Sequence, residues 1–247
     1  FTSGNLAVPD ADASKAAELV KDLANLSDGE ETTESRFAHA VLEELQGKSD
    51  FAPDSPSVRR LKGLIRRGEA KRACEVCGLP AEKVSFLDLP FYEKGKYRQF
   101  SPEDEDYERV LTLFSERRPH QIYITGAWAE PSTVQAICFK VFSSAWEKLN
   151  NDDWHKDCFV WIYRAASQEW DIAEIDMAVP LSPTELANKI QGIYQHQTQR
   201  RQAPASDRAT RDIWRQAEDC DRRVAEAYDS LGLANYEAIE GFKRWKI

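Results

Sequence analysis

Two short apolar runs, QIYIT at 121–125 and CFVWIY at 158–163, flank a segment with the pattern of a helix from 132 to 150. No other feature limits the fold as strongly. Strands joined through a helix run parallel, because the crossover returns the chain to the same edge-to-edge direction. Helix and strand patterns alternate around this unit with connections of ordinary length. The expectation is an α/β chain with a mostly parallel sheet and helices on both of its faces.

The flanking segments fill in that frame. Phe1 to Asn5 has the pattern of a strand end and turn, and residues 12–26 and 30–46 of two helices, with apolar positions at helical spacing (Ala16, Leu19, Val20, Leu23; Phe37, Val41, Leu45). Ser55 precedes Pro56 as cap and first residue of a further helix that runs to Cys77 and stops at Gly78. VSFLDL, between Pro80 and Pro90, predicts a strand, and FYEKGKYRQF at 91–100 an aromatic and basic loop. Ser101-Pro102 with Asp104 opens a helix to about Arg117. QEWDIAEIDMAVPL reads as extended, with Ile172, Ile175 and Met177 inward. Ser182-Pro183-Thr184-Glu185 is a capping box that starts a helix to about Gln197. After the polar loop TQRRQAPAS, residues 207–231 and 235–245 carry helical patterns. Internal repeats and low-complexity tracts are absent from the sequence.

Bulk properties narrow the function classes. The 247 residues, 42% of them hydrophobic, suffice for a substantial core. With 42 acidic against 33 basic residues the net charge is −9, so nucleic acid and anionic membranes are not expected as partners. No apolar run approaches the roughly 18 residues of a membrane span. FTSGNLAVPD lacks the basic start of a signal peptide. Cys74, Cys77, Cys138, Cys158 and Cys220 form an odd, scattered set that suits free thiols in a reducing cytoplasm. The sole methionine is Met177 and the chain opens on strand-like Phe1, which reads as a piece of something longer.

Few side chains offer chemistry. Cys74-x-x-Cys77 has redox or half-zinc spacing but no companion ligands, so plain core thiols are expected. NDDWHKD at 151–157 gathers three Asp and His155, a hard-ligand set, in a place where solvated acidic loops are ordinary. Arg66 and Glu69 share one helix face, as a local ion pair or as a clamp for carboxylate or phosphate. His196 in YQHQTQ suits a general acid or oxyanion stabiliser, although a lone histidine near a helix end is more often a capping or packing residue. The turn TGAWAEPS after QIYIT sits where α/β enzymes place their chemistry, yet its one acid is Glu130 and it has neither His nor Cys.

Taken together, TSGNLAV, SVRRLKGLIRRGEAKRAC, VSFLDLPFYEKG, RPHQIYITGAWAEPSTVQAICF, DCFVWIYRAASQEWDIAEIDMAVPLSP, YQHQTQ and RQAEDCDRRVAEAYDSLGLANYEAIEGFKRW resemble, in order and spacing, the LmbE/PIG-L-type deacetylase domain. The variety resembled is the one fused behind the isomerase-type domain of bacterial glucosamine-6-phosphate deaminase-like proteins. This resemblance implies a three-layer α/β/α Rossmann-like sandwich over residues 1–204, without the family's first strand and helix, and a helical C-terminal extension over 205–247. It implies a zinc-dependent amide hydrolase of N-acetylglucosaminyl compounds, whose His-Pro-Asp-Asp motif supplies zinc ligands and a base. That motif has no counterpart after Phe1.

The second half of the implied site is altered. Where relatives carry Asp, an oxyanion-stabilising His and a zinc-binding His, this chain has Ala127, Ser132 and Gln135. A neutral amide is a poor zinc ligand and a hydroxyl cannot act as an imidazolium. No catalytic residue, metal ligand or cofactor is therefore expected, although zinc serves the family. Arg66 and Glu69 match the family's Arg-x-x-Glu and His196 its His-x-Ser-Gln, which implies a retained site for an amino sugar or sugar phosphate. The leading expectation is a structural or ligand-sensing region of an amino-sugar protein, partnered by an upstream isomerase-type domain. Its rivals are an active deacetylase with substitute ligands such as Glu130, and a homo-oligomerisation module carried by Tyr236, Phe242 and Trp245.

Overall fold

A computed structural model of the chain describes residues 1–26, 32–49, 52–93, 100–126, 133–164, 170–199 and 213–246. It divides into two compact units, one of Thr2–Phe86 with Gln195–Pro204, the other of Phe1, Leu87–Tyr194 and Ala205–Ile247.

The first unit is helical. It comprises α1 (Asp10–Asn25), which starts after Pro9 without a side-chain cap, α2 (Thr33–Gly47) and α3 (Pro56–Val76), which starts at Ser55-Pro56 as expected. Thr32 caps α2 through the Ser35 N–H, and Ser55 caps α3 through the Val58 N–H, with Pro56 at the first helical position. Ala13 and Ala17 of α1, Val41 and Leu42 of α2, and Val58 and Leu61 of α3 form the core. The buried stripe of α1 thus lies one position away from the larger side chains: Leu19 and Leu23 are exposed, and the small alanines let the helices approach. Lys62, mid-helix on α3, is also buried. Lys62 and Lys48 both reach Asp10 and Asp54, so two cations and two carboxylates close on one another. Burial pushes the Asp54 and Asp10 carboxyls up, but the two ammonium groups outweigh it and hold both below the ordinary carboxylate range.

The second unit holds the sheet. Its elements are α4 (Pro90–Glu93), α5 (Asp104–Arg117), β1 (Gln121–Thr125), α6 (Val134–Lys148), α7 (Asp153–Lys156), β2 (Phe159–Tyr163), β3 (Met177–Leu181), α8 (Pro183–Tyr194), α9 (Ile213–Ser230) and β4 (Ala238–Arg244). β1 pairs with β2 in parallel, Ile122 beside Val160 and Ile124 beside Ile162, as the crossover through α6 requires. The strand order is β1-β2-β4-β3, and β4 is antiparallel to both of its neighbours. Pro180 is tolerated in β3 because that strand lies at the edge of the described sheet.

Side chains alternate across β4, so Glu240 and Trp245 point to opposite faces. Trp245 packs on Phe139 and Phe142 of α6, with ring centroids 5.6 and 5.5 Å apart. Glu240 meets Lys189 of α8 at 3.0 Å. Lys189 also binds Asp221 of α9 at 2.6 Å, and Arg164, directly after β2, binds the same carboxylate at 2.7 Å. Helices therefore cover the sheet on both sides, which is the expected three-layer α/β/α class.

Several local expectations fail: Phe1 to Asn5 forms no strand, and Ile172–Glu174 is a short 3-10 helix within the segment read as extended. Residues 235–245 are not helical, because 238–244 form the strand inserted between β2 and β3. Glu, Lys, Arg and Ala favour helix, but Gly241 is the decisive residue: a Cβ there would stand 2.8 Å from Ile175 Cδ1. Pairing on both edges overrides the propensity. Phe242 is consequently buried, Trp245 is packed, and Tyr236 alone of the three tail aromatics is exposed. VSFLDL forms no strand either. Asp88 has φ 46°, which breaks the pleat, and the Arg109 guanidinium donates to the Leu87 and Asp88 carbonyls where a ladder partner would stand.

Candidate functional site

α3 places Arg66 and Glu69 one turn apart on the same face. Arg66 Nη1 donates to Glu69 Oε2. Both oxygens of Glu69 are also engaged by Thr198, whose backbone N–H donates to Oε1 at 2.7 Å and whose hydroxyl donates to Oε2 at 2.9 Å. The carboxylate is thus the anchor that fixes residues 196–199 against α3. Gln199 Nε2 donates to the Ala7 carbonyl at 3.0 Å and ties the same turn to the N-terminal segment.

His196 joins the cluster, with Nδ1 3.4 Å from Arg66 Nη1. A guanidinium has only donors, so Nδ1 is the acceptor and the imidazole is neutral with its proton on Nε2. Burial pushes the His196 pKa down, the Arg66 charge adds to the effect, and Glu69 opposes it. The three residues singled out from the sequence as ligand-binding therefore stand together.

The fourth wall is Gly4. Its φ of 69° is left-handed, and a Cβ at this position would lie 3.1 Å from Arg66 Nε. Glycine lets the backbone pass beside that side of the guanidinium without a Cβ pressing on it. Every hydrogen bond of the Arg66 side chain among the described residues uses Nη1. Nε and Nη2, the side-on edge of the fork, face no protein acceptor there. Such an edge takes a carboxylate or phosphate with two parallel hydrogen bonds. A neutral imidazole donor stands beside it, while the one carboxylate is fully occupied. The cluster suits recognition of an anion.

Gly4 and Thr198 escaped the sequence reading, although TSGN and YQHQTQ both contain them. A glycine in a turn signals positive φ, but not which side chain it approaches. Cys74 is half-buried and Cys77 exposed, so they are not core thiols: they end α3, whose buried residues all lie in its first half.

The positions that the resemblance assigns to the hydrolytic site (Ala127, Ser132 and Gln135), and the substitute ligand Glu130, belong to the other unit. Ala127, Glu130 and Ser132 fall outside the described residues. Gln135 is exposed on the first turn of α6, next to the helix cap made by Thr133. No three His, Cys, Asp or Glu side chains converge among the described residues. The Gln135 side chain is a neutral amide, which is a poor zinc ligand.

No protein-family model matches the chain. A glucosamine-6-phosphate deaminase-like protein of Bacteroides thetaiotaomicron is 39% identical over 244 residues, which is 98% of this chain and 37% of that protein. The chain thus spans little more than a third of the relative's length. Among solved structures, the 4-carboxy-2-hydroxymuconate hydratase of Pseudomonas putida KT2440 superposes with a TM-score of 0.53 over 97% of this chain and 94% of its own, at 16% identity. That likeness concerns the fold.

Proposed function

We propose that this chain is an LmbE/PIG-L-like region of an amino-sugar metabolism protein of the glucosamine-6-phosphate deaminase-like type, and that it binds a sugar phosphate without hydrolysing it. The observation that carries this reading is that Nε and Nη2 of Arg66, held by Glu69 and bordered by Gly4 and His196, meet no protein acceptor among the described residues. The name of the 39% identical relative supports the amino-sugar context. In this reading the phosphate lies on the Arg66 fork, and His196 Nε2–H donates to a sugar or phosphate oxygen. Thr198 and Glu69 act as positioning residues by fixing the guanidinium plane. Any deaminase chemistry of a longer protein belongs to residues beyond this chain.

Calorimetric titration with glucosamine 6-phosphate tests the proposal. Binding that Arg66→Ala weakens by at least tenfold is expected, with no acetate released from N-acetylglucosamine 6-phosphate. Binding indifferent to Arg66→Ala would overturn it. So would one zinc per chain accompanied by deacetylase turnover.

A further inference from the structure

Cys74 and Cys77 take no part in the Arg66 cluster, although they end the same helix. Cys138, Cys158 and Cys220 are buried, whereas Cys74 is half-buried and Cys77 exposed. Both still stand at helical spacing, since the Cys77 N–H donates to the Ala73 carbonyl at 3.3 Å. Gly78, with φ 83°, then turns the chain. The Gly78 and Leu79 N–H groups bond the Glu75 and Cys74 carbonyls at 2.9 and 2.8 Å, so this closing turn holds the two thiols together. Helical residues three apart have Cα atoms about 5 Å apart, inside the roughly 4.4–6.8 Å that a disulfide spans. Their Cβ atoms start about 5–6 Å apart and must close to about 4 Å. Cys77 can make that move, because it is exposed and no helical residue follows it.

The end of α3 is also basic. Arg67, Lys71 and Arg72 occupy the two turns before the pair, and Lys71 lies one turn from Cys74 on the same face. Arg67 and Lys71 lie over the Phe86 ring at 5.2 and 6.0 Å, and Arg72 meets Glu75 at 3.1 Å. Glu75 is the one acid between Ala70 and Gly78. In a chain of net charge −9, this surface attracts small anions where most of the molecule repels them.

We propose that Cys74 and Cys77 form a redox-active dithiol that exchanges with a small anionic disulfide of the glutathione type. The exposed Cys77, as thiolate, attacks one sulfur of that disulfide; its S–S bond breaks and one thiolate leaves. Cys74 then attacks the Cys77 sulfur of the mixed disulfide, the second thiolate leaves, and the Cys74–Cys77 bond forms. The two cysteine protons end on the two departing thiols, so the pair loses two electrons and the reagent gains them. Burial pushes the Cys74 thiol up and the neighbouring Cys77 adds to the effect, which suits Cys74 to the second step.

Intact-mass analysis after incubation with glutathione disulfide tests the proposal. The expected product is lighter by two hydrogens, with the bridge mapped to Cys74 and Cys77. Iodoacetamide labelling of the native chain should fall from two thiols to none, because the other three are buried. Cys74→Ser should stop at one glutathionyl group on Cys77, and dithiothreitol should reverse both products. At low salt glutathione disulfide should react at least threefold faster than the dicationic disulfide cystamine, and Arg67→Gln with Lys71→Gln should remove that difference. A native chain that does not react, one that stops at the mixed disulfide, or equal rates with the two reagents would each overturn the proposal.

Discussion

At the residue scale the site depends on groups that do no recognition themselves. Gly4 adopts φ 69° directly against Arg66. Gly4→Ala imposes a left-handed conformation on an L-residue, which costs about 1–2 kcal/mol, and places a methyl against the guanidinium edge. A lower urea midpoint together with weaker glucosamine 6-phosphate binding is expected; retention of both would show that the edge is not the binding surface. His196 provides a pH signature. Its folded pKa lies below the ordinary 6.5, so the folded state resists a proton that the unfolded chain accepts. Its stability contribution is complete above pH 6.5 and is lost as pH falls through the folded value. Thermal melts from pH 7.5 to 5 should show that slope, and His196→Gln should flatten it. Arg66 and Glu69 were legible as a pair from their spacing on one helix face, whereas His196, 130 residues away, was joined to them only by the family resemblance. Thr198 was not legible, because its role is a backbone N–H whose direction only the folded turn sets.

Elements were legible where their ends are written in the sequence. The capping box at Ser182 forms as expected, Glu185 accepting from the Ser182 N–H at 2.8 Å, and Ser55-Pro56 starts α3. VSFLDL and residues 235–245 were misread because pairing partners, not local propensity, decide a strand. What holds the helices of the first unit together was equally hidden, since Lys62 resembles any surface lysine in SVRRLKGL. In the structure it is buried against Asp54 and Asp10. Lys62→Met removes one charge and leaves the buried Asp54 with Lys48 alone, a change that costs roughly 3–5 kcal/mol when a buried pair is broken. Chemical denaturation should show a loss of that order. A loss below 1 kcal/mol would mean that Lys48 alone suffices.

At the scale of the molecule, the parallel pair β1-β2 follows from adjacent apolar runs, but the completed sheet depends on a strand contributed by the end of the described chain. β4 bonds β2 on one edge and β3 on the other, and Asp176, just before β3, accepts from the Arg244 N–H at 2.7 Å. Truncation before Asn235 therefore removes an interior strand, exposes two unpaired edges, and strips Trp245 from Phe139 and Phe142. The aromatic tail suggests an oligomerisation module on sequence alone, and the same truncation would then merely release monomers. The sheet predicts a different outcome: loss of near-UV circular dichroism and of the cooperative unfolding transition of this unit, with an aggregation-prone product. Ending the chain after Lys246 should change neither signal. A truncated chain that keeps the near-UV spectrum and unfolding midpoint, and differs only in assembly state, would assign the tail to association and not to the core.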